Sequence, residues 1–211
     1  TSVLFLLYCF SVGWAQTVPP CTLEITDAET FARDWTVIDV NSNVSANTWA
    51  YNDGNAMYTQ DKSNAADDWL IAPAVTLEAG KAYKVSAYVK HSSTFGSDKQ
   101  KIELKIGTAP TVEGLTTRLV YDESFQSRLF VEKSGTFSPA ESGVFYVGLR
   151  CYSGSYMGDL YFQKIVIEEA PVYQVQITDL SIVAGERGAM SATLSWTWPS
   201  SDHLGGALSD L

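Results

Sequence analysis

His91 and His203 are the only histidines among the 211 residues. Ser-His-Asp or Cys-His chemistry would have to pass through one of them. His203 falls in a C-terminal segment where no complete site is expected. His91 opens a serine-rich stretch, 91–99, has no nucleophile-elbow motif beside it, and reads as a solvated loop histidine. Asp and Glu number 24, so carboxylate pairs of the kind a glycosidase uses arise by chance and single out none. Asp67 and Asp68 are neighbours, and neighbours on an extended chain point to opposite sides. One is expected in solvent and the other bonded to nearby loop backbone. The reading is a chain with no catalytic residues and no enzyme activity of its own.

Binding chemistry is better represented. Asp39-x-Asn41-x-Asn43 places oxygen side chains at alternate positions, as an EF-hand loop does at its start. Val44 then stands where that loop needs Gly, and Ala50 where it needs a bidentate Glu. Two readings stay open: an Asx-turn loop without metal, or hard oxygen ligands holding a structural Ca²⁺ at Asp39, Asn41 and Asn43. No Cys/His spacing suits zinc. Aromatic residues make up 12% of the chain. Phe95, Tyr152 and Tyr156 on loops, and Tyr88 on the polar face of its strand, are the candidate ligand-stacking residues. Each has ordinary packing as its alternative. Trp35, Trp49 and Trp69 sit beside apolar strands and are expected in the core.

The elements that must position these residues are strands. In 67–90, Trp69-Leu70-Ile71 is too short for a helix and Pro73 prevents one. Val75 and Leu77 continue an extended segment, and Gly80 permits the turn that follows. Tyr83, Val85, Ala87 and Val89 then alternate with Lys84, Ser86, Tyr88 and Lys90, the period of a half-buried strand. Asp27 is a candidate N-cap for a short helix over 27–31. Further strands are predicted at 35–40, 49–51, 56–59, 101–106, 118–122, 130–137 with a break near Gly135, 144–151 and 160–167. Asn52-Asp53-Gly54-Asn55 is a hairpin turn signal. Polar loops are expected at 41–47, 91–99 and 152–158. Short strands, regular turns and almost no helical period indicate a β-sandwich.

The formal net charge of −10 argues against nucleic acid as a partner and against an anionic membrane surface. Residues 1–16 carry no charge and hold an apolar centre too short to span a bilayer. With Gly13-x-Ala15 before Gln16 they read as part of a signal peptide, cut before Gln16. Export to the cell surface or medium is therefore expected, with no membrane insertion after cleavage. Cys9 would leave with the signal. Cys21 and Cys151 would remain, either paired in an oxidising compartment or with Cys151 as a buried apolar residue at strand parity.

The run Asp67-Asp68-Trp69-Leu70-Ile71, Pro73, Val75, Leu77, Ala79-Gly80, Tyr83, Val85 and Ser86 resembles the motif of cleaved-adhesin, or choice-of-anchor J, domains of Bacteroidetes surface proteins. The resemblance extends over about 24–169 and implies a jelly-roll sandwich similar to MAM domains. It also implies that calcium occurs in several relatives. Here Asn and Ser replace much of the acidic loop, and Gln163 stands where relatives often carry Asp.

Beyond a linker at 168–171, Ile177, Leu180 and Ile182, then Ala192, Leu194 and Trp196, resemble the first two strands of a fibronectin type III domain. The expected organisation is 1–16 partial signal peptide, 17–23 linker, 24–169 jelly roll and 170–211 truncated fibronectin type III-like segment. The fold class is all-β. The function these features imply is a non-catalytic binding or adhesion module of a larger bacterial protein, with an extracellular protein or glycan as ligand. The alternatives are a carbohydrate-binding module appended to a glycoside hydrolase or peptidase whose catalytic domain lies elsewhere, and a structural spacer.

Overall fold

The computed structural model describes residues 17–41, 47–93, 96–170, 180–185, 188 and 191–197. Phe95 and Asn43 therefore lie outside the described residues, as do the expected signal peptide and Ile177. In chain order the elements are β1 Cys21–Glu24, α1 Ala28–Asp34, β2 Thr36–Asp39, β3 Trp49–Asn52, β4 Asn55–Tyr58, β5 Asp68–Ile71, β6 Val75–Leu77 and β7 Tyr83–His91. There follow β8 Gln100–Gly107, β9 Thr117–Phe125, β10 Val131–Phe137, β11 Gly143–Cys151, β12 Leu160–Glu169, β13 Ser181–Ala184 and β14 Ala192–Ser195.

The strands form a jelly-roll sandwich of two six-stranded sheets. The first runs β10-β7-β12-β4-β3, with β1 also on β12. The second runs β2-β5-β11-β8-β9, with β6 also on β11. All pairings are antiparallel, so alternate residues of each strand enter the core between the sheets. β7 contributes Tyr83, Val85, Ala87 and Val89, β11 contributes Phe145, Val147, Leu149 and Cys151, and Trp35 and Trp49 join them. Local sequence fixes the ends. The Asp27 carboxylate accepts the Thr30 backbone N–H at 2.7 Å and starts α1. Asp53 and Gly54, at φ 45° and 75°, make the two-residue turn of the β3–β4 hairpin.

Several expectations are corrected. Cys21, Thr22 and Leu23, expected as linker, belong with Glu24 to a strand paired to β12 from Cys21↔Ile167 to Glu24↔Lys164. Glu168 and Glu169, also expected as linker, end β12. His91 is not a solvated loop residue: it ends β7 and is buried. β10 runs unbroken through Gly135, where a Cβ would collide with the backbone of Leu119. Cys21 and Cys151 are free and stand on different sheets. Burial raises the Cys21 thiol, and pushes that of Cys151 up to about 12. β13 and β14 form a separate two-stranded hairpin, with Ile182, Val183 and Leu194 exposed.

Trp69 is buried as expected, but not between the sheets. Asp68 and Leu70 of β5 point into the sandwich, so Trp69 and Ile71 point out of it. They are covered by Leu115 from the β8–β9 connection, residues 108–116, in a small second cluster. Gly148 makes room for that cover, since a Cβ there would strike the Leu115 side chain and press on the Trp69 ring. Covering both faces leaves every residue of β5 buried.

Candidate aromatic–guanidinium face

Strand register lines up one row of side chains across the outer face of the second sheet. Ile38 lies opposite Trp69, Trp69 opposite Arg150, Arg150 opposite Glu103, and Glu103 opposite Tyr121. Cross-strand neighbours of this kind stand within side-chain reach. Tyr152, one residue past β11, is held by its backbone N–H to the Lys101 carbonyl at 3.1 Å. Its ring stacks on Tyr121 with centroids 6.1 Å apart and an interplanar angle of 22°. The Arg150 guanidinium lies 5.1 Å from the Tyr152 ring and 5.6 Å from the Trp69 ring. Arg118 lies 4.7 Å from the Tyr121 ring. A guanidinium thus lies on each side of the stacked tyrosine pair, each cation facing an aromatic ring.

Two carboxylates set the cations in place. Asp67 takes Arg150 in a bidentate pair, Nε to Oδ1 at 2.7 Å and Nη2 to Oδ2 at 2.9 Å. Glu103, with 7% of its side chain exposed, lies 3.5 Å from Arg150, 3.6 Å from Lys105 and 3.8 Å from Arg118. Lys101 pairs with Glu123 at 3.5 Å. Tyr121 remains 51% exposed, so the row ends in an accessible ring.

Loop 152–158 is anchored beneath this face by a buried polar network. Gln100 Oε1 accepts from the Ser153 hydroxyl and, at 3.1 Å, from the Cys151 thiol. Gln100 Nε2 donates to the Gly158 carbonyl, and Ser153 Oγ accepts the Lys101 N–H at 2.7 Å. His91 Nε2 donates to the Met157 carbonyl at 2.6 Å, which places its proton on that nitrogen. Cys151 and His91 are thus spent on packing: the thiol holds its proton to about 12, and both side chains are buried. Neither presents a nucleophile or a base to a substrate.

Of the four expected stacking residues, the structure brings one into this face. Tyr156 is exposed, has φ 60°, and donates its N–H to the Asp61 carbonyl at 2.8 Å. Tyr88 belongs to the outer face of the other sheet, opposite Glu132 and Lys164, with Lys164 Nζ 5.1 Å from its ring. Sequence reading missed Arg118, Tyr121, Arg150 and Glu103. The signal for Arg150 and Glu103 was strand parity opposite buried neighbours. Arg118 and Tyr121 had none, because a bulge between Leu104 and Lys105 makes Leu119 an extra residue and turns both outward.

Asp67 and Asp68 do point to opposite sides: Asp67, with 24% of its side chain exposed, pairs with Arg150, and Asp68 bonds backbone as expected. Asp68 is fully buried and its Oδ2 accepts the Asp67 N–H at 3.1 Å. Burial pushes its carboxyl up to about 6, with Asp39 adding repulsion and Thr48 acting the other way. Asp68 Oδ1 and Thr48 Oγ1 make no hydrogen bond of ordinary geometry. Of the expected calcium ligands, Asp39 lies opposite Asp68 across β2 and β5, while Asn41 Nδ2 donates to the Ala65 carbonyl at 2.6 Å. Calcium takes six to eight oxygens. Among the described residues no three acidic, His or Cys side chains gather for a metal.

No family model matches the chain, and no curated protein sequence matches it significantly. Solved structures do resemble it. The K3 cleaved adhesin domain of Lys-gingipain from Porphyromonas gingivalis matches with a TM-score of 0.50 at 11% identity, over 68% of this chain and 92% of that one. The sandwich of this chain resembles that domain in fold. The K1 domain of the same protein matches at TM-score 0.49 and 14% identity, over 72% and 99% of the two chains. A structure described as CBM4 matches at 0.48 and 16%, over 70% and 94%. At these identities the likeness concerns the fold. Among the described residues no helix is long and apolar enough to cross a membrane.

Proposed function

We propose that this chain is an exported, non-catalytic binding or adhesion module, and that its ligand contacts the outer face of the second sheet. The observation that carries this reading is the Tyr121–Tyr152 stack, flanked by Arg118 and Arg150 and fixed from beneath by Asp67 and Glu103. A surface whose polar groups are already oriented loses little entropy on binding. The nearest candidates for catalysis, His91 and Cys151, are engaged in packing.

The finer reading keeps the choice-of-anchor J label for 24–169, joined by β1, with a fibronectin type III-like segment after it and a signal peptide before it. It also keeps a Bacteroidetes surface protein as the source and a structural Ca²⁺ near Asp39. Melting with Ca²⁺ and with chelator tests the calcium part: unchanged midpoints would remove it. The second reading, a carbohydrate-binding module attached to an enzyme, is favoured by one feature, a stacked tyrosine pair on a sheet face. Retention of the full chain on immobilised polysaccharides and on extracellular matrix proteins separates the two. Either reading expects Tyr121→Ala to weaken retention, and retention unaffected by Tyr121→Ala would remove this face from both.

A further inference from the structure

We infer that the ligand of this face is an acidic polysaccharide, whose carboxylate or sulfate groups are taken by Arg118 and Lys105 beside the Tyr121 ring. The inference rests on the binding role proposed above and names its ligand class. Asp67 satisfies Arg150 at 2.7 and 2.9 Å, the spacing of charge-assisted hydrogen bonds. Among the described residues Arg118 and Lys105 have no such partner. Their carboxylate is Glu103, at 3.8 and 3.6 Å and shared with Arg150, beside ring contacts of Arg118 with Tyr121 and of Lys105 with Trp69 at 5.5 Å. One carboxylate therefore serves three cations, each at long range, and the two outer ones keep donors for an incoming anion.

The local charge agrees. Lys101, Lys105, Arg118 and Arg150 stand on or beside the row against Asp67, Glu103 and Glu123. A chain of net charge −10 thus carries one excess positive charge here. Charges farther off are screened over roughly 8 Å at physiological ionic strength, so the local groups decide what binds.

The shape favours a saccharide over an acidic protein. Protein partners are anchored by aromatic or aliphatic groups in desolvated pockets. On this face Trp69 and Ile71 are sealed under Leu115, and Ile38, Val112 and Tyr146 are partly buried against them. The most open ring of the row is Tyr121, half exposed, with the Arg118 side chain 57% exposed against it. A sugar ring can lie along such a phenol edge while its acid group meets the guanidinium.

The test is affinity electrophoresis of the full chain in gels holding polygalacturonate, dextran sulfate, neutral dextran or polyglutamate. Retardation by polygalacturonate or dextran sulfate is expected, and which of them acts identifies the acid group. Arg118→Ala should weaken it about tenfold, Arg118→Lys should restore part of it, and added salt should weaken it further. Equal retardation by dextran, stronger retardation by polyglutamate, or an Arg118→Ala variant that behaves as the parent would overturn the inference. If Tyr121→Ala abolishes binding to dextran while Arg118→Ala does not, the ligand class falls and the binding face stands. If neither substitution alters binding to any polymer, both fall.

Discussion

Asp67 grips Arg150 through two parallel hydrogen bonds, and the grip holds the guanidinium between the rings of Trp69 and Tyr152. The next residue, Asp68, points the other way, into the sandwich, where it is fully buried. Two adjacent carboxylates thus do opposite work: one orients the outer face, and the other carries a charge into the core.

Asp67→Ala should free Arg150 to turn off the Tyr152 ring. Loss of a half-buried, charge-assisted pair is expected to cost about 1–3 kcal/mol. Denaturant midpoints at equal slope measure it. A variant as stable as the parent would show that Arg150 is held by the rings alone.

Trp69→Ala should destabilise the fold by roughly 3–5 kcal/mol, the range for a large buried aromatic. Because Trp69 underlies the β8–β9 connection, hydrogen exchange should quicken first at 108–116. Loss of protection at β7 and β12, with 108–116 unaffected, would place Trp69 in the wrong cluster.

Asp68 predicts a pH dependence of defined sign. Its folded-state pKa, about 6, lies above the ordinary 3.8. The stability tied to its neutral form is therefore fully present below the ordinary value and is lost as pH rises through about 6. The loss at neutral pH is on the order of 3 kcal/mol. In calcium-free buffer, Asp68→Asn should be the more stable protein at pH 7.5, and the difference should vanish by pH 4. A variant destabilised at both pH values would mean that the charge is compensated.

The sandwich was legible because its long strands alternate strictly. Tyr83 to Val89 and Phe145 to Cys151 announce their inner faces, and Asp53-Gly54 its hairpin. Cys21–Glu24 escaped because four residues carry too little alternation to show a strand. His91 was misplaced because the serines after it suggest a loop. Gly135 suggested a break, whereas it lets Leu119 approach. The binding face was legible only at Tyr152. Glu103, Arg118, Tyr121 and Arg150 are strand residues from three separate stretches, brought together by register, and the bulge at Leu119 hides that Arg118 and Tyr121 share a side. Alternation shows which residues face outward, but not which strands become neighbours.

The central claim, that ligand meets the outer face of the second sheet, is tested most directly by an amide NMR titration of the full chain with oligogalacturonate. Shift changes are predicted to cluster at Glu103, Arg118, Tyr121, Arg150 and Tyr152, saturating together with one affinity. Saturable changes confined to Tyr156, or to Tyr88 and Lys164 on the opposite sheet, would contradict it.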